Sequence, residues 1–285
     1  MTRRVGLIGK PLKRRHSPVM HDAAFDAAGI DGRYVLLELD EDAVAGAVDD
    51  ARGPDWLGLG VTAPYKRLIA GLVDEVEADA QAIGAVNNVV RTDDGRLIGF
   101  NTDAPGFRVG VERAMGRSLT GAAVVVVGAG GAAHAVVFAC LDAGARRVTV
   151  ANRTVASAQA LVERFATVGS GDREAVGLGG AAFDAALGAA DVAVNATTVG
   201  MIDPGVTIPV DALRDDATVF DLVYVPAETP LIAAARARGL RASNGSEMLI
   251  AQAAIAFERW TGIGEMAGVM REAVATLLAD PTVRA

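Results

Sequence analysis

The chain has 285 residues, 51% hydrophobic and 22% charged, a composition that excludes a disordered protein. It carries 27 Lys and Arg against 35 Asp and Glu, and a formal net charge of −8 argues against nucleic acid or an anionic membrane as partners. The single cysteine, Cys140, excludes intrachain disulfides and cysteine-based zinc sites, and it fits the reducing cytoplasm where we expect the protein to reside.

The N-terminal part of the chain alternates segments typical of strands and of helices. Apolar runs predict strands at Val5–Ile8, Tyr34–Leu39 and Leu57–Val61. Apolar residues at helical spacing predict helices between them, at Pro18–Ala28 and Glu41–Ala51. This alternation predicts βαβ units and a largely parallel sheet.

Two local patterns follow. The acidic run Asp74–Asp79 predicts the solvated face of a helix. Asn88–Arg91 and Arg96–Phe100 flank Thr92–Gly95, which ends in the Asp-Gly pair typical of tight hairpin turns. We therefore expect an antiparallel hairpin at the edge of the first sheet.

A second alternating series begins in Ser118–Leu141, which lacks charged side chains and is long enough to cross a bilayer. Glycines interrupt its centre after a valine-rich run, so it fits a soluble strand, turn and helix better than a membrane span. In this series, strands are predicted at Ala123–Val127, Arg147–Ala151, Val192–Asn195 and Val219–Val223, and helices at Gly131–Ala143, Thr154–Phe165 and Pro230–Arg238.

The turn after the first of these strands has the dinucleotide-binding pattern G-x-G-x-x-A. Gly128 permits the tight turn, Gly130 lets the backbone approach a pyrophosphate, and Ala133 lets the helix pack close to the strand. A glycine-rich turn without a ligand is the alternative, but the strand before it and the helix after it favour binding. The residues predicted to cradle the pyrophosphate are Gly128, Ala129, Gly130, Gly131 and Ala132.

The end of the next strand distinguishes between the nicotinamide cofactors. NAD enzymes usually place a carboxylate there for the ribose 2′-hydroxyl, whereas this chain has Asn152, Arg153 and Thr154. A guanidinium and a hydroxyl can bind a 2′-phosphate, so we predict NADP, with NAD as a possible second cofactor. The alternatives are a solvated Arg153 and a helix N-cap at Thr154.

Met248–Trp260 and Glu265–Ala279 predict two final helices without a strand between them. We therefore predict two α/β domains: a substrate-binding catalytic domain at residues 1–103 and an NADP-binding Rossmann domain at 104–240. Residues 241–285 are expected to return as C-terminal helices to the first domain. A catalytic cleft between the domains would follow.

Five further segments contain polar residues that indicate a functional site. They are Ser17-Pro18, Val61–Lys66, Gly84–Asn87, Asn101–Asp103 and Asn195–Met201. Together with the glycine turn, they resemble the shikimate dehydrogenase family, which includes the quinate/shikimate dehydrogenases. The resemblance runs in order from about Val5 to about Gly262.

The residue types suit the oxidation of a secondary alcohol, which needs a base to take the hydroxyl proton as hydride leaves. The resemblance implies that Lys66 accepts this proton and that Asp103 is its partner and a substrate ligand. On the residues alone, a surface salt bridge between the two is the alternative.

The resemblance also implies further contacts with the two ligands. The implied substrate ligands are Ser17, Thr62, Asn87, Asp103, Tyr224 and Gln252, and the implied cofactor contacts beyond the two turns are Thr197, Leu222 and Gly245. Ser17 would hold the substrate carboxylate, and as the residue before a proline it is also a good helix N-cap.

Three positions depart from the family pattern. Arg15 stands where the family has the first serine of its S-x-S pair, so either Arg15 binds the carboxylate or Ser17 acts alone. If this loop is extended, both side chains point to the same side, and Arg15→Ser should raise kcat/KM for shikimate. Ser157 replaces a second arginine near the 2′-phosphate, which weakens selectivity for NADP, and Gly60 replaces a frequent asparagine.

The spacing of the three histidines, His16, His21 and His134, argues against a metal site. We expect a small-molecule substrate and either a monomer or a homodimer. The leading hypothesis is an NADP-dependent oxidoreductase acting on shikimate. The alternatives are a dehydrogenase for quinate or an amino-substituted analogue and, more remotely, a non-catalytic NADP sensor.

Overall fold

The computed structural model describes residues 2–12 and 15–279, and within them the strands form two six-stranded sheets. The strands are, in chain order, β1 (Arg3–Gly9), β2 (Gly32–Glu38), β3 (Trp56–Val61), β4 (Glu75–Val76), β5 (Asn88–Arg91), β6 (Leu97–Phe100), β7 (Ala123–Val127), β8 (Arg147–Asn152), β9 (Asp172–Gly177), β10 (Val192–Asn195), β11 (Thr218–Asp221) and β12 (Arg241–Asn244).

Helices separate most of these strands. They are α1 (His16–Ala27), α2 (Glu41–Asp50), α3 (Ala78–Ile83), α4 (Asp103–Met115), α5 (Gly131–Asp142), α6 (Val155–Arg164), α7 (Ala181–Gly188), α8 (Pro230–Ala237), α9 (Ser246–Thr261) and α10 (Ala267–Ala279).

The chain divides into two compact units, each built on one sheet. The first consists of the residues up to Thr102 together with Ile250–Leu277, and the second centres on Asp103–Leu249. The fold is therefore the predicted one, an N-terminal α/β unit and a Rossmann-like unit, with the C-terminal helices returning to the first. The domain boundaries at 103/104 and 240/241 stay predictions.

The first sheet has the order β2-β1-β3-β5-β6-β4. Strand β1 is parallel to β2 and β3, and β5 is antiparallel to β3 and β6. The predicted hairpin is thus present, with Asn88 opposite Phe100 and Arg91 opposite Leu97. Its predicted place at the edge of the sheet is wrong, because β4 pairs with β6 and forms the edge strand. The buried β3 lies at the centre of this sheet and carries the chain directly to Thr62.

The interpretation of the acidic run as a helix face is wrong. Glu75–Val76 form β4, which pairs with β6, and α3 begins only at Ala78. The reason is that the Asp74 side chain hydrogen-bonds to the backbone of the neighbouring strand, as a strand residue would. Asp74 Oδ2 accepts from Leu97 N at 2.7 Å and also from Arg52 Nη1 at 2.5 Å. These bonds hold the run along the edge of the sheet.

The second sheet is parallel throughout, with the order β12-β11-β10-β7-β8-β9. The four strands predicted for this series form its interior. Sequence patterns missed β9 and β12 because both are edge strands with polar side chains, of which Glu174 and Arg241 are exposed. The carboxyl ends of all six strands meet at one edge, where ligands bind in open parallel sheets.

The uncharged stretch is a buried strand and a largely buried helix, as its glycines predicted. Every residue of β7 is buried, and α5 buries most of its side chains. Among the described residues, no helix has both the length and the hydropathy needed to span a bilayer.

Helix α9 packs within the first unit through aromatic side chains. Trp260 Nε1 donates a hydrogen bond to Val89 O at 2.9 Å, which attaches α9 to β5. Phe257 of the same helix contacts Phe25 of α1, with ring centroids 5.1 Å apart. These contacts hold α9, and with it Gln252, against the first sheet.

Candidate active site

The glycine turn between β7 and α5 has open space where a ligand would lie. Gly128 has φ +113°, and a Cβ there would approach Thr197 Cγ2 to 2.9 Å and Ala196 O to 3.1 Å, so only glycine fits. A Cβ added at Gly130 or Gly131 meets no atom within 4 Å. The space beside Gly130 and Gly131 is therefore open at the start of α5, where a helix N-terminus can bind a pyrophosphate.

The turn after β8 presents a cation without a partner. Arg153 is exposed, and its guanidinium makes no hydrogen bond or ion pair within the described part of the chain. Thr154 is the N-cap of α6, but its hydroxyl makes no capping bond. Asn152 Nδ2 donates to Thr154 O at 3.0 Å and shapes the turn. Guanidinium and hydroxyl are both available to a 2′-phosphate, and the glycine turn and this turn together fit NADP.

The other predicted cofactor residues follow neighbouring strands at the same edge of the sheet. Thr197 follows β10, Leu222 follows β11 and Gly245 follows β12. A Cβ at Gly245 would lie 2.3 Å from Leu222 O, so the two segments touch through their backbones. Asp221, the last residue of β11, is buried beside these segments, and its burial raises the pKa of the carboxyl. Hydrogen bonds from Thr229, Val223 and Asn195 lower that pKa but do not outweigh the effect of burial.

A hydrogen-bonded cluster in the first unit brings two of the predicted substrate ligands together. Asn87 Oδ1 accepts from Thr102 N at 2.8 Å and from Asn88 Nδ2 at 2.9 Å, and Asn87 Nδ2 donates to Thr102 Oγ1 at 3.0 Å. Thr102 Oγ1 donates to Gln252 Oε1 at 3.3 Å. Asn88 and Thr102 were not among the predicted ligands, although each adjoins one.

The predicted proton-transfer residues occupy partly exposed positions. Lys66 is half-buried in the segment after β3, and its carbonyl accepts a hydrogen bond from Val86 N at 2.8 Å. Asp103 is the half-buried first residue of α4, and the two units divide immediately before it. Their pairing stays a prediction. Thr62 and Tyr224, which follow β3 and β11, are also half-buried.

The expectation for Arg15 and Ser17 rested on an extended loop, and that premise is wrong. Helix α1 already begins at His16, with Arg15 as its N-cap, so Ser17 lies in the first turn and is not the cap. Arg15 itself has φ −103° and ψ 9°, which is not extended, so the alternation of side chains along an extended chain does not apply to this pair. Arg15 is exposed and Ser17 half-buried. Pro18 is tolerated because the first turn has no intrahelical N–H partners.

Two of the histidines belong to the core of the first unit. His16 and His21 are 1% and 2% exposed. Burial lowers the pKa of His21 to about 3, and its ring stacks on Tyr34 with centroids 4.5 Å apart. Within residues 2–12 and 15–279, no group of three or more His, Cys, Asp or Glu side chains could hold a metal ion.

Three family models match successive parts of the chain. The model of the shikimate dehydrogenase substrate binding domain matches residues 7–89, that of shikimate / quinate 5-dehydrogenase matches 111–200, and that of the shikimate 5′-dehydrogenase C-terminal domain matches 245–275. The matches fall in both units and in the returning helices.

Individual proteins resemble the chain over nearly its full length. The shikimate dehydrogenase (NADP(+)) of Carboxydothermus hydrogenoformans is 40% identical over 276 residues, 96% of each chain. The crystal structure of shikimate 5-dehydrogenase from Thermus thermophilus in complex with NADP(H) and shikimate superposes with a TM-score of 0.84 at 36% identity, covering 96% of this chain and 99% of that one. Quinate dehydrogenase from Corynebacterium glutamicum in complex with NAD gives a TM-score of 0.89 at 35% identity, covering 96% and 99%.

Proposed function

The chain belongs to the shikimate dehydrogenase family, and on this premise we propose that it is an NADP-dependent oxidoreductase that interconverts shikimate and 3-dehydroshikimate. The observation that carries the proposal is the full-length similarity to proteins named shikimate dehydrogenase (NADP(+)). The open glycine turn and the unpartnered Arg153 support it from the structure.

Residues of the second unit bind the cofactor. The backbone of Gly128–Ala132 holds the pyrophosphate, Asn152, Arg153 and Thr154 hold the 2′-phosphate end, and Thr197, Leu222 and Gly245 line the nicotinamide end. When bound, NADP supplies the hydride acceptor. Because Ser157 offers no second cation, NAD remains a weaker alternative.

Residues of the first unit bind the substrate, with Tyr224 as a further ligand. Asn87 and Gln252, linked through Thr102, bind ring hydroxyls, and Thr62 adds a contact. Ser17 and the N–H groups of the first turn of α1 bind the carboxylate, because a helix N-terminus favours an anion.

Lys66 and Asp103 transfer the proton of the reacting hydroxyl. Lys66 Nζ accepts the proton of the reacting hydroxyl as the carbon–hydrogen bond breaks, and in the reverse direction it returns the proton. Asp103 binds the same hydroxyl and holds the lysine. General acid–base catalysis of this kind contributes roughly 10²–10⁴-fold to a rate.

Quinate, or an amino-substituted shikimate analogue, is the second candidate substrate. Two observations favour it: Arg15 stands in place of the family's serine, and the quinate dehydrogenase structure fits this chain as well as the shikimate enzyme does. The exposed position of Arg15 weighs against a changed carboxylate site, because Ser17 and the start of α1 do not need it.

Steady-state kinetics of wild type and Arg15→Ser on shikimate, quinate and amino analogues, each with NADP and NAD, test both proposals. We expect the highest kcat/KM with shikimate and NADP, and values for Arg15→Ser within about twofold. A preference for quinate that Arg15→Ser abolishes would establish Arg15 as the specificity residue. Absence of turnover with every acid, despite tight binding of NADP, would instead favour a non-catalytic NADP sensor.

The remaining proposals concern the environment of the protein. We infer residence in a reducing compartment, the cytoplasm, because the sole cysteine is buried in α5, where burial raises its pKa and keeps it unreactive. The net charge of −8 supports the absence of nucleic-acid partners. We further propose that the protein is a monomer or a homodimer, which light scattering would distinguish.

A further inference from the structure

The second sheet ends in a row of three polar residues. Asn195, Asp221 and Asn244 are the last residues of β10, β11 and β12, and the register of these strands aligns them side by side. Asn195 and Asp221 are only 1% and 0% exposed. A carboxylate buried this completely is costly unless several donors satisfy it, so its partners show what it holds in place.

Asp221 accepts three hydrogen bonds from three different elements. Its Oδ1 accepts from Asn195 Nδ2 at 2.8 Å and from Val223 N at 3.0 Å. Its Oδ2 accepts from Thr229 Oγ1 at 2.6 Å, and this hydroxyl also caps α8 by accepting from Ile232 N at 3.2 Å. The carboxylate therefore joins the end of β10, the segment after β11 and the start of α8.

Asn195 extends this connection to the segment after β10. Its Nδ2 also donates to Val199 O at 3.1 Å, and its Oδ1 accepts from Thr197 Oγ1 at 2.7 Å and from Thr197 N at 3.2 Å. All hydrogen-bonding capacity of the amide is used. Because only the NH₂ end can donate to a carboxylate, Asp221 determines which way the amide faces, and the amide in turn places Thr197.

The segment after β12 rests on the same framework. Gly245 N donates to Val223 O at 3.3 Å, beside the close approach to Leu222. Asn244 Nδ2 donates to Ala227 O at 2.7 Å, which ties the end of β12 to the segment between β11 and α8. Three neighbouring segments thus depend on the backbone that Asp221 anchors.

We propose that Asp221 is a positioning residue that sets the nicotinamide side of the cofactor site by holding Thr197, Leu222 and Tyr224 in place. This inference rests on the proposed function, which assigns these three residues to cofactor and substrate. Asp221 itself is 0% exposed, so it acts through these residues and not by contact with a ligand.

The discriminating variant is Asp221→Asn, which keeps the shape but replaces one acceptor oxygen with a donor. The asparagine side chain has only one acceptor oxygen, so it cannot accept from Thr229 and also from Asn195 and Val223. The segments that hold these donors then shift. We expect NADP affinity to fall about 10-fold and kcat for shikimate to fall about 10–100-fold. Losses of this size are typical when the hydrogen bonds that position a binding residue are removed. Affinity for adenosine 2′,5′-bisphosphate, which lacks the nicotinamide half, should stay within about twofold by calorimetry.

A second pair of variants keeps the test decisive if Asp221→Asn does not fold. Thr229→Val removes the hydroxyl that donates to Asp221 and should lower the NADP-to-bisphosphate affinity ratio about threefold or more, whereas Thr229→Ser keeps the hydroxyl and should restore it. Thr218→Val is the matched control: it removes a buried hydroxyl from the opposite end of β11 and should leave this ratio unchanged.

Equal losses of NADP and bisphosphate affinity in the Asp221 and Thr229 variants, or no change in either, would overturn the proposal. The affinity ratio is measured without turnover, so it tests Asp221 even if wild type oxidises no cyclic acid. Absence of wild-type turnover with an intact ratio effect would count against the proposed function alone.

Discussion

The proposed chemistry assigns proton transfer to one side chain, that of Lys66. The residue is half-buried, and the hydrogen bond from Val86 N to its carbonyl fixes the backbone beside the sheet. This bond fixes the backbone from which the lysine side chain would reach a substrate hydroxyl, and acid–base catalysis depends on such positioning.

Lys66→Ala should lower kcat by roughly 10²–10⁴, because the hydroxyl proton then leaves without a positioned acceptor. The Kd for NADP should change little, since Lys66 belongs to the first unit. Steady-state kinetics and a fluorescence titration measure the two quantities. Arg67→Ala, which removes an exposed charge from the next residue, is the control and should keep near-normal kcat. Near-full turnover by Lys66→Ala at neutral pH would remove Lys66 from the mechanism.

Arg153→Ala should weaken NADP binding by about 1.5–3 kcal/mol, the value of a hydrogen bond to a charged group, and leave NAD binding almost unchanged. Calorimetric titration with both dinucleotides measures the difference. Arg147→Ala, at the opposite end of β8, removes a comparable exposed arginine and should affect neither. If Arg153→Ala weakens both dinucleotides equally, its role is structural and the 2′-phosphate assignment fails.

At the scale of elements, the first unit depends on an aromatic junction of α1, β2 and α9. His21 stacks on Tyr34 at 4.5 Å and lies 5.2 Å from the ring of Trp260. A charged imidazole there would lose its hydration without gaining a carboxylate, and burial accordingly lowers the pKa of His21 to about 3. The junction holds the helix that carries Gln252.

This junction predicts a pH dependence of stability. The folded-state pKa of His21 lies below the unfolded value of about 6.5, so the unfolded chain binds more protons between these values and stability is lost as pH falls through this window. From pH 7 to pH 5 the group should cost about 2 kcal/mol. His21→Phe keeps the stack and should lose correspondingly less in urea unfolding at the two pH values. Identical losses in both proteins would show that His21 does not contribute.

At the scale of the whole molecule, the proposed function assigns a different ligand to each unit. The proposed cofactor residues, from Gly128 to Gly245, lie in the second unit, whereas most of the proposed substrate residues lie in the first. A ligand that binds only the folded state stabilises the chain by mass action, about 2.7 kcal/mol at 100 times Kd. Each ligand should therefore stabilise mainly the unit that binds it.

Hydrogen exchange read by mass spectrometry should separate the two effects. Saturating NADP should increase protection in the turns that follow β7 and β8 and around Thr197, and leave β1 and β3 largely unchanged. Shikimate alone should protect the segments containing Thr62 and Asn87. Protection by NADP confined to the first unit would contradict the assignment of the cofactor residues.

Local patterns predicted much of this architecture. The interior strands β7, β8, β10 and β11 were visible because a strand buried on both faces is continuously apolar. The edge strand β9 was not, because half of its surface meets water and its composition matches that of a loop. The acidic run resembles a solvated helix for a similar reason, because its residues are polar and partly exposed. It forms a strand because Asp74 hydrogen-bonds to Leu97, a residue distant along the chain.

The family, the glycine turn, the NADP-type end of β8 and the order of the α/β units can be predicted from the sequence alone, because each depends on residues adjacent along the chain. Three features are evident only in the folded chain: Arg15 is exposed, Thr102 joins Asn87 to Gln252, and Asp221 anchors three segments. These depend on strand register and on where a helix begins. The partners of Asp221 come from separate elements, and only the packing of parallel strands brings their donors within 3 Å of one carboxylate.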